Sequence, residues 1–224
     1  MVEWDDYWAD YSISKGERWM VEQRHKILLR YFDKIQNVPK QVIEIGCGFG
    51  SNIKLLQSTC ANIECHALDK SGISIEKVQS KIPHIYIADA RDTGLSDASF
   101  DMVFSAGLME HFRDETPFLN EMKRIMRPEA YMVTFVPARY SLWQIYLKLH
   151  FGNMPHGYEK SYTRQKLRDL FLRNGFEVVE IIGVDPFSLN AFFMKLLNRS
   201  FKPFIKKSIM QNGYQEFGII VKKN

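Results

Sequence analysis

Between Arg18 and Gln36 apolar side chains recur at Trp19, Ile27, Leu28, Tyr31, Phe32 and Ile35. That spacing predicts an amphipathic helix with one buried face. Asn37-Val38-Pro39 ends it, because proline cannot donate into a continuing helix. The period then shortens: residues 41–46 read as a brief apolar strand, and helical and extended stretches alternate after it. Helices are expected over Ser51–Thr59, Ser71–Lys81 and Glu115–Met126, and strands over Ile63–Leu68, His84–Ala88, Phe100–Ser105 and Tyr131–Val136. Strands separated by helices predict a parallel, doubly wound α/β sheet. After Pro137 the rhythm breaks. Residues 138–160 form an aromatic insertion with a helix inside it. Thr163 then caps a helix through Asn174, Gly175 stops it, and Phe176–Ile182 and Glu216–Val221 are the last strands.

One stretch organises the rest: Val42-Ile43-Glu44-Ile45-Gly46-Cys47-Gly48-Phe49-Gly50. A strand that runs into glycines at every second position, with a helix behind it, lets a ligand approach the main chain closely. Glu44 lies within the strand's end, where burying a carboxylate is costly unless it is bound. Two further acids follow strands, Asp69 and Asp89. A single such acid is usually a turn former. Asp69, however, lies 19 residues past Gly50, the spacing of an acid that accepts from ribose hydroxyls, and three acids in register with a glycine loop point to a nucleoside site. A dinucleotide loop would place its last glycine at position 51, which is Ser51. Glu44 would also face pyrophosphate unfavourably, whereas it suits a cationic ligand.

Composition narrows the class further. The chain has 224 residues, 46% hydrophobic and 25% charged, with net charge +4, ordinary for a globular α/β protein. So mild a charge does not call for nucleic acid. Cys47, Cys60 and Cys65 contain no C-x-x-C pair, so neither a disulfide framework nor a zinc site is indicated. No uncharged apolar run reaches the roughly 18–20 residues that span a bilayer, and the N-terminus lacks the pattern of a signal peptide. A cytoplasmic location is expected.

The motifs taken in order resemble those of the class I S-adenosylmethionine-dependent methyltransferases. Glu44 to Gly50 is similar to the family's first motif, Ala67 to Ser71 to its second-strand acid, and Ala88 to Asp92 to the segment that holds adenine. Phe100 to Phe112 resembles the fourth strand and its loop, Arg124 to Pro128 the lead into the fifth, and Tyr162 to Leu167 through Asn174 to Phe176 the late helix–strand unit. The resemblance covers roughly residues 40–183 plus the last strand and is nearest the small-molecule branch. It implies a Rossmann-like, seven-stranded, mostly parallel sheet with the last strand antiparallel, S-adenosyl-L-methionine as cofactor, and a small-molecule methyl acceptor. One domain, 1–224, is expected, divided into an N-terminal helical lid (1–38), a cofactor-binding core (39–137), a lid insertion (138–162) and the remaining sheet (163–224).

By that resemblance Gly46, Cys47 and Gly48 line the methionine part of the cofactor with Glu44 near its ammonium. Asp69 holds the ribose, flanked by Lys70 and Ser71, Asp89 and the Ala90 amide read adenine, and Ser105 and Ala106 border the methionine moiety. His111 is the candidate general base if the acceptor arrives protonated; the other reading is a capping or core histidine. Gly107 stands where some quinone methyltransferases carry another acid, so Glu110-His111 makes a poor metal site and none is expected. Tyr7, Tyr11, Arg139, Tyr140, Trp143, Tyr146 and His156 are the substrate pool, set against ordinary aromatic packing, and suggest an apolar or aromatic acceptor. Residues 186–210 mix apolar and basic side chains that could rest on an anionic membrane or pack on the domain. Alternatives left open are a cofactor-binding protein without transfer activity and a nicotinamide-dependent oxidoreductase; oligomeric state is not legible.

Overall fold

The computed structural model describes Asp5 and residues 15–78, 81–139, 141, 158–184 and 214–223. In chain order these form α1 (Lys15–Phe32), β1 (Lys40–Ile45), α2 (Ser51–Thr59), β2 (Ile63–Asp69), α3 (Gly72–Glu76), β3 (His84–Ile87), β4 (Phe100–Ala106), a 3-10 turn (Met109–His111), α4 (Thr116–Ile125), β5 (Met126–Pro137), α5 (Arg164–Arg173), β6 (Phe176–Val184) and β7 (Glu216–Lys223). The seven strands make one sheet in the order β3-β2-β1-β4-β5-β7-β6. Its β1–β2, β1–β4, β2–β3 and β4–β5 pairs are parallel, while β7 runs antiparallel to both β5 and β6. The expected α/β sheet is present. The helix expected within 138–160 and the basic–apolar stretch 186–210 lie outside the described residues. Among the described residues no helix is long and apolar enough to cross a membrane.

Successive strand residues point to opposite faces, and the two faces are covered by different helices. Ile43, Ile45, Leu68 and Val103 pack against Phe118, Met122 and Ile125 of α4 and Leu167 and Phe171 of α5. On the other face Val42, Ala67, Met102 and Phe104 meet Ile27, Leu28 and Tyr31 of α1 and Ile53 and Leu56 of α2. Sequence order reverses on either side of β1 and β4, so the loops leaving their carboxyl ends flank a switch point, where ligands of such sheets bind.

Three local departures from the sequence pattern have physical causes. Trp19 is 39% exposed and not part of the buried stripe, because it falls about 80° around the helix from Ile27. The helix expected over Ser71–Lys81 covers only Gly72–Glu76. Ser71 caps it by accepting from the Ser74 amide; beyond Glu76 the Lys77 carbonyl is taken by Lys54 Nζ at 3.0 Å and β-branched Val78 follows. Finally, β5 begins at Met126, five residues early, after a register shift in which Phe100 pairs with Met126 and Met102 with Tyr131. Pro128 has no amide for the ladder, and Glu129 there is left-handed at φ 62°.

Candidate functional site

The glycine loop takes the shape its composition suggests. Gly46 has φ +68°, and a Cβ there would lie 2.9 Å from both Leu108 methyl carbons. Its amide and that of Cys47 donate to Leu68 O at 2.8 and 3.0 Å, which pins the loop to the end of β2. From there the Gly48 amide reaches Asp69 Oδ2 at 2.8 Å, while the Ser71 amide donates to Oδ1 at 2.9 Å. Asp69 is therefore buried and fixed by main chain. Burial pushes its carboxyl pKa up, and the Ser71 and Gly48 amides oppose that rise. The Ser74 hydroxyl and the Lys70 amide also approach the carboxylate.

Glu44 lies on the α1–α2 face of β1, with Val42. Its Oε1 accepts from Asn52 Nδ2 at 2.7 Å and its Oε2 from the Ile53 amide at 3.0 Å, both at the N-terminus of α2. Burial dominates and raises its pKa to about 7, against those two hydrogen bonds and the Arg24 charge. Asn52 Oδ1 is buried without a hydrogen-bond partner, which leaves an orphaned acceptor beside a desolvated acid.

Both sit in the wall of a cleft of about 160 Å³ whose lining also takes in Glu17, Arg24, His111 and Glu159. Arg24 was not marked out by the sequence motifs. Its Nε donates to Glu216 Oε2 at 3.0 Å and its Nη2 to Oε1, a bidentate pair whose side chains are 13% and 15% exposed. Glu216, and less closely Glu44 and Glu110, hold its pKa up against burial. The signal was present in the helical period: position 24 falls on the face that buries Met20, Val21, Ile27, Leu28 and Tyr31. Glu110 of the 3-10 turn is buried, with Oε2 unpartnered, and burial pushes its pKa well up.

Glu44, Gly46, Cys47, Gly48 and His111 line the cleft, and Asp69 is joined to its loop through Gly48. His111 Nδ1 lies 3.0 Å from Tyr158 O; a carbonyl only accepts, so Nδ1 carries the proton and Nε2 the lone pair of the neutral ring. Ala90 is buried beside Asp89. Asp89 itself is engaged by Arg91, at 2.9 Å from Nε and 2.7 Å from Nη2, and by Lys70 at 3.5 Å; the Arg91 fork drives its pKa far down. Adenine recognition through Asp89 therefore requires sharing or displacing Arg91.

Ser105 departs from expectation. Its hydroxyl lies 3.4 Å from Thr134 Oγ1 in the sheet interior, and Ala106 and Gly107 line the cleft instead. The cause is strand parity: Glu44 is registered with Phe104, not Ser105, so the Ser105 side chain points to the α4 face. Arg139 is exposed, with its amide on Tyr162 O at 2.8 Å, and is not among the cleft residues. Tyr7, Tyr11, Tyr140, Trp143, Tyr146 and His156 lie outside the described residues.

Residues 43–134 match the family model of a methyltransferase domain. A probable S-adenosylmethionine-dependent methyltransferase of Mycobacterium tuberculosis is 28% identical over 102 residues, 45% of this chain and 36% of that protein. The chloroplastic tocopherol O-methyltransferase of Arabidopsis thaliana is 31% identical over 102 residues, 40% of this chain and 28% of its own length. The chain thus spans about a third of these curated relatives. In fold it is similar to a SAM-dependent methyltransferase from Archaeoglobus fulgidus, with TM-score 0.65 and 22% identity over 91% of this chain and 94% of that one.

Proposed function

For a chain built on the class I S-adenosylmethionine-dependent methyltransferase fold, with a methyltransferase domain over residues 43–134, we propose methyl transfer from S-adenosylmethionine to a small apolar or aromatic acceptor. One observation carries the reading: two buried carboxylates, Glu44 and Asp69, close adjacent parallel strands with a positive-φ glycine loop between them. The cofactor supplies an activated methyl group on a sulfonium cation.

The chain's own residues bind and orient. Glu44, with the orphaned Asn52 Oδ1, suits the ammonium of the methionine moiety, and Asp69, already fixed by the Gly48 and Ser71 amides, suits the ribose diol. The Ala90 amide with Asp89 is the adenine end; Lys70, which flanks Asp69, also reaches Asp89 at 3.5 Å. Positioning supplies much of the rate for so activated a methyl donor. Where the acceptor is protonated, His111 Nε2 takes the proton while Nδ1 stays donated to Tyr158 O. Tyr7, Tyr11, Arg139, Tyr140, Trp143, Tyr146 and His156 remain the proposed acceptor-contacting pool. The tocopherol specificity in one relative's name supports an apolar ring as acceptor.

Calorimetric titration with S-adenosylmethionine and its demethylated product tests the reading. Micromolar binding should weaken at least tenfold in Asp69→Ala, about 1.4 kcal/mol. Absence of binding to either ligand, with NAD(H) titrated alongside, would overturn it.

A further inference from the structure

On the α4 face of the sheet, toward the amino ends of the strands, lies a polar cluster that the methyl-transfer chemistry does not use. Glu64 and His66 of β2 are two residues apart and so share a face, and His84 of β3 is registered with His66. Gln41 of β1 is registered with Glu64. One ligand atom from each of Glu64, His66 and His84 lies within 4.8 Å of the other two. The His66 and His84 rings stack at 4.4 Å and 18°, and His84 Nε2 is 2.7 Å from Glu64 Oε1. Gln41 ties the set together: its Oε1 lies 2.9 Å from His66 Nε2, and its Nε2 donates to Glu64 Oε2.

We propose that Glu64, His66 and His84 form a binding site for one divalent transition-metal ion of the zinc type, with Gln41 Oε1 or water as fourth ligand. Two imidazoles and one carboxylate are the donor set that suits zinc, cobalt or nickel, whereas magnesium and calcium prefer all-oxygen shells. Ligands of a tetrahedral ion with bonds of about 2.0–2.1 Å sit about 3.3 Å apart. The cluster therefore needs only small side-chain rotations, and the half-exposed Glu64 and His84 (36% and 40%) can make them. Their exposure also gives the ion a path in.

The outer shell is present as well. In the metal-free chain His66 Nε2 donates to Gln41 Oε1; with Nε2 ligating instead, the proton moves to Nδ1, which then donates to Tyr86 Oη, 3.2 Å away, as the outer nitrogen of a ligating imidazole does. The cluster lies about three residues, roughly 10 Å, behind Glu44 and Asp69 along the strands. The ion would thus clip β2 to β3, and β1 as well where Gln41 ligates, without touching the cofactor loop.

Zinc chloride titrated calorimetrically into the tag-free full chain tests this, with Glu64→Gln and His84→Ala as variants at half-exposed positions. The expected result is one equivalent bound at micromolar affinity, weakened at least tenfold in each variant, with unchanged affinity for S-adenosylmethionine, and a cobalt-substituted spectrum free of thiolate charge transfer. Absence of stoichiometric zinc binding overturns the proposal. So does binding that both variants leave within twofold of the parent, or a cobalt–thiolate band, which would assign the ion to Cys47, Cys60 or Cys65.

Discussion

Glu44 shows how one side chain can couple proton and ligand. With its pKa raised to about 7 by burial, the folded chain holds a proton there that the unfolded chain, near 4.5, releases; the free protein therefore loses stability as pH rises from about 4.5 through 7. A cation placed beside the carboxylate favours the charged form, so binding expels that proton. Affinity for S-adenosylmethionine should rise about tenfold between pH 6 and 8 and flatten in Glu44→Gln, as read by calorimetry at fixed ionic strength. A flat profile in the parent chain would separate Glu44 from the ammonium. Glu44 was legible because an acid inside an apolar strand demands a partner. Arg24 was hidden because a cation on a buried helical face reads as a polar position until Glu216, 192 residues away, is known to meet it. The face that the Ser105 side chain takes is a matter of strand parity, which only the β1–β4 register resolves.

Among the elements, α4 is fastened to the segment before β4 by an ionic node. Glu121 accepts from the Thr93 amide at 2.8 Å and from Arg124 Nε at 2.8 Å, while Arg124 also donates to Leu95 O at 2.7 Å. The Arg124 guanidinium, chiefly, holds Glu121 down to about 2. A depressed carboxylate contributes stability above its unfolded pKa and loses it as pH falls through the folded one. Glu121→Gln should therefore cost on the order of 2 kcal/mol at pH 7, with the difference shrinking between pH 4.5 and 2 in urea melts. A constant difference across that window would remove the charge from the explanation. Element identity was largely readable, since α4 and α5 carry clear helical periods. Ends were not: α3 stops where Lys54 takes the Lys77 carbonyl, and β5 starts early because pairing with Phe100 extends it.

For the whole molecule, the alternation of strands and helices sufficed to predict a doubly wound sheet, but nothing local to 216–223 says that β7 enters between β5 and β6. That placement follows from burial of Phe217, Ile219, Ile220 and Val221 between strands that precede them, and the resemblance anticipated only its antiparallel sense. Deleting residues 214–223 should leave an insoluble chain or one without cooperative thermal unfolding by circular dichroism. Burying four such side chains contributes about 6–12 kcal/mol, comparable with an entire domain's stability of about 5–15 kcal/mol. A truncated chain that melts cooperatively would show the sheet self-sufficient without β7.

The same strand order has a consequence in time. β5 ends at Pro137, β6 at Val184, and their shared neighbour β7 begins at Glu216, so a ribosome adding about 5–20 residues per second leaves the open edge of β5 waiting on the order of 4–16 s, and that of β6 about 2–6 s, for the segment that joins them. During synthesis the nascent chain therefore carries two unpaired edges, the kind of surface on which chaperones act and neighbouring nascent chains aggregate.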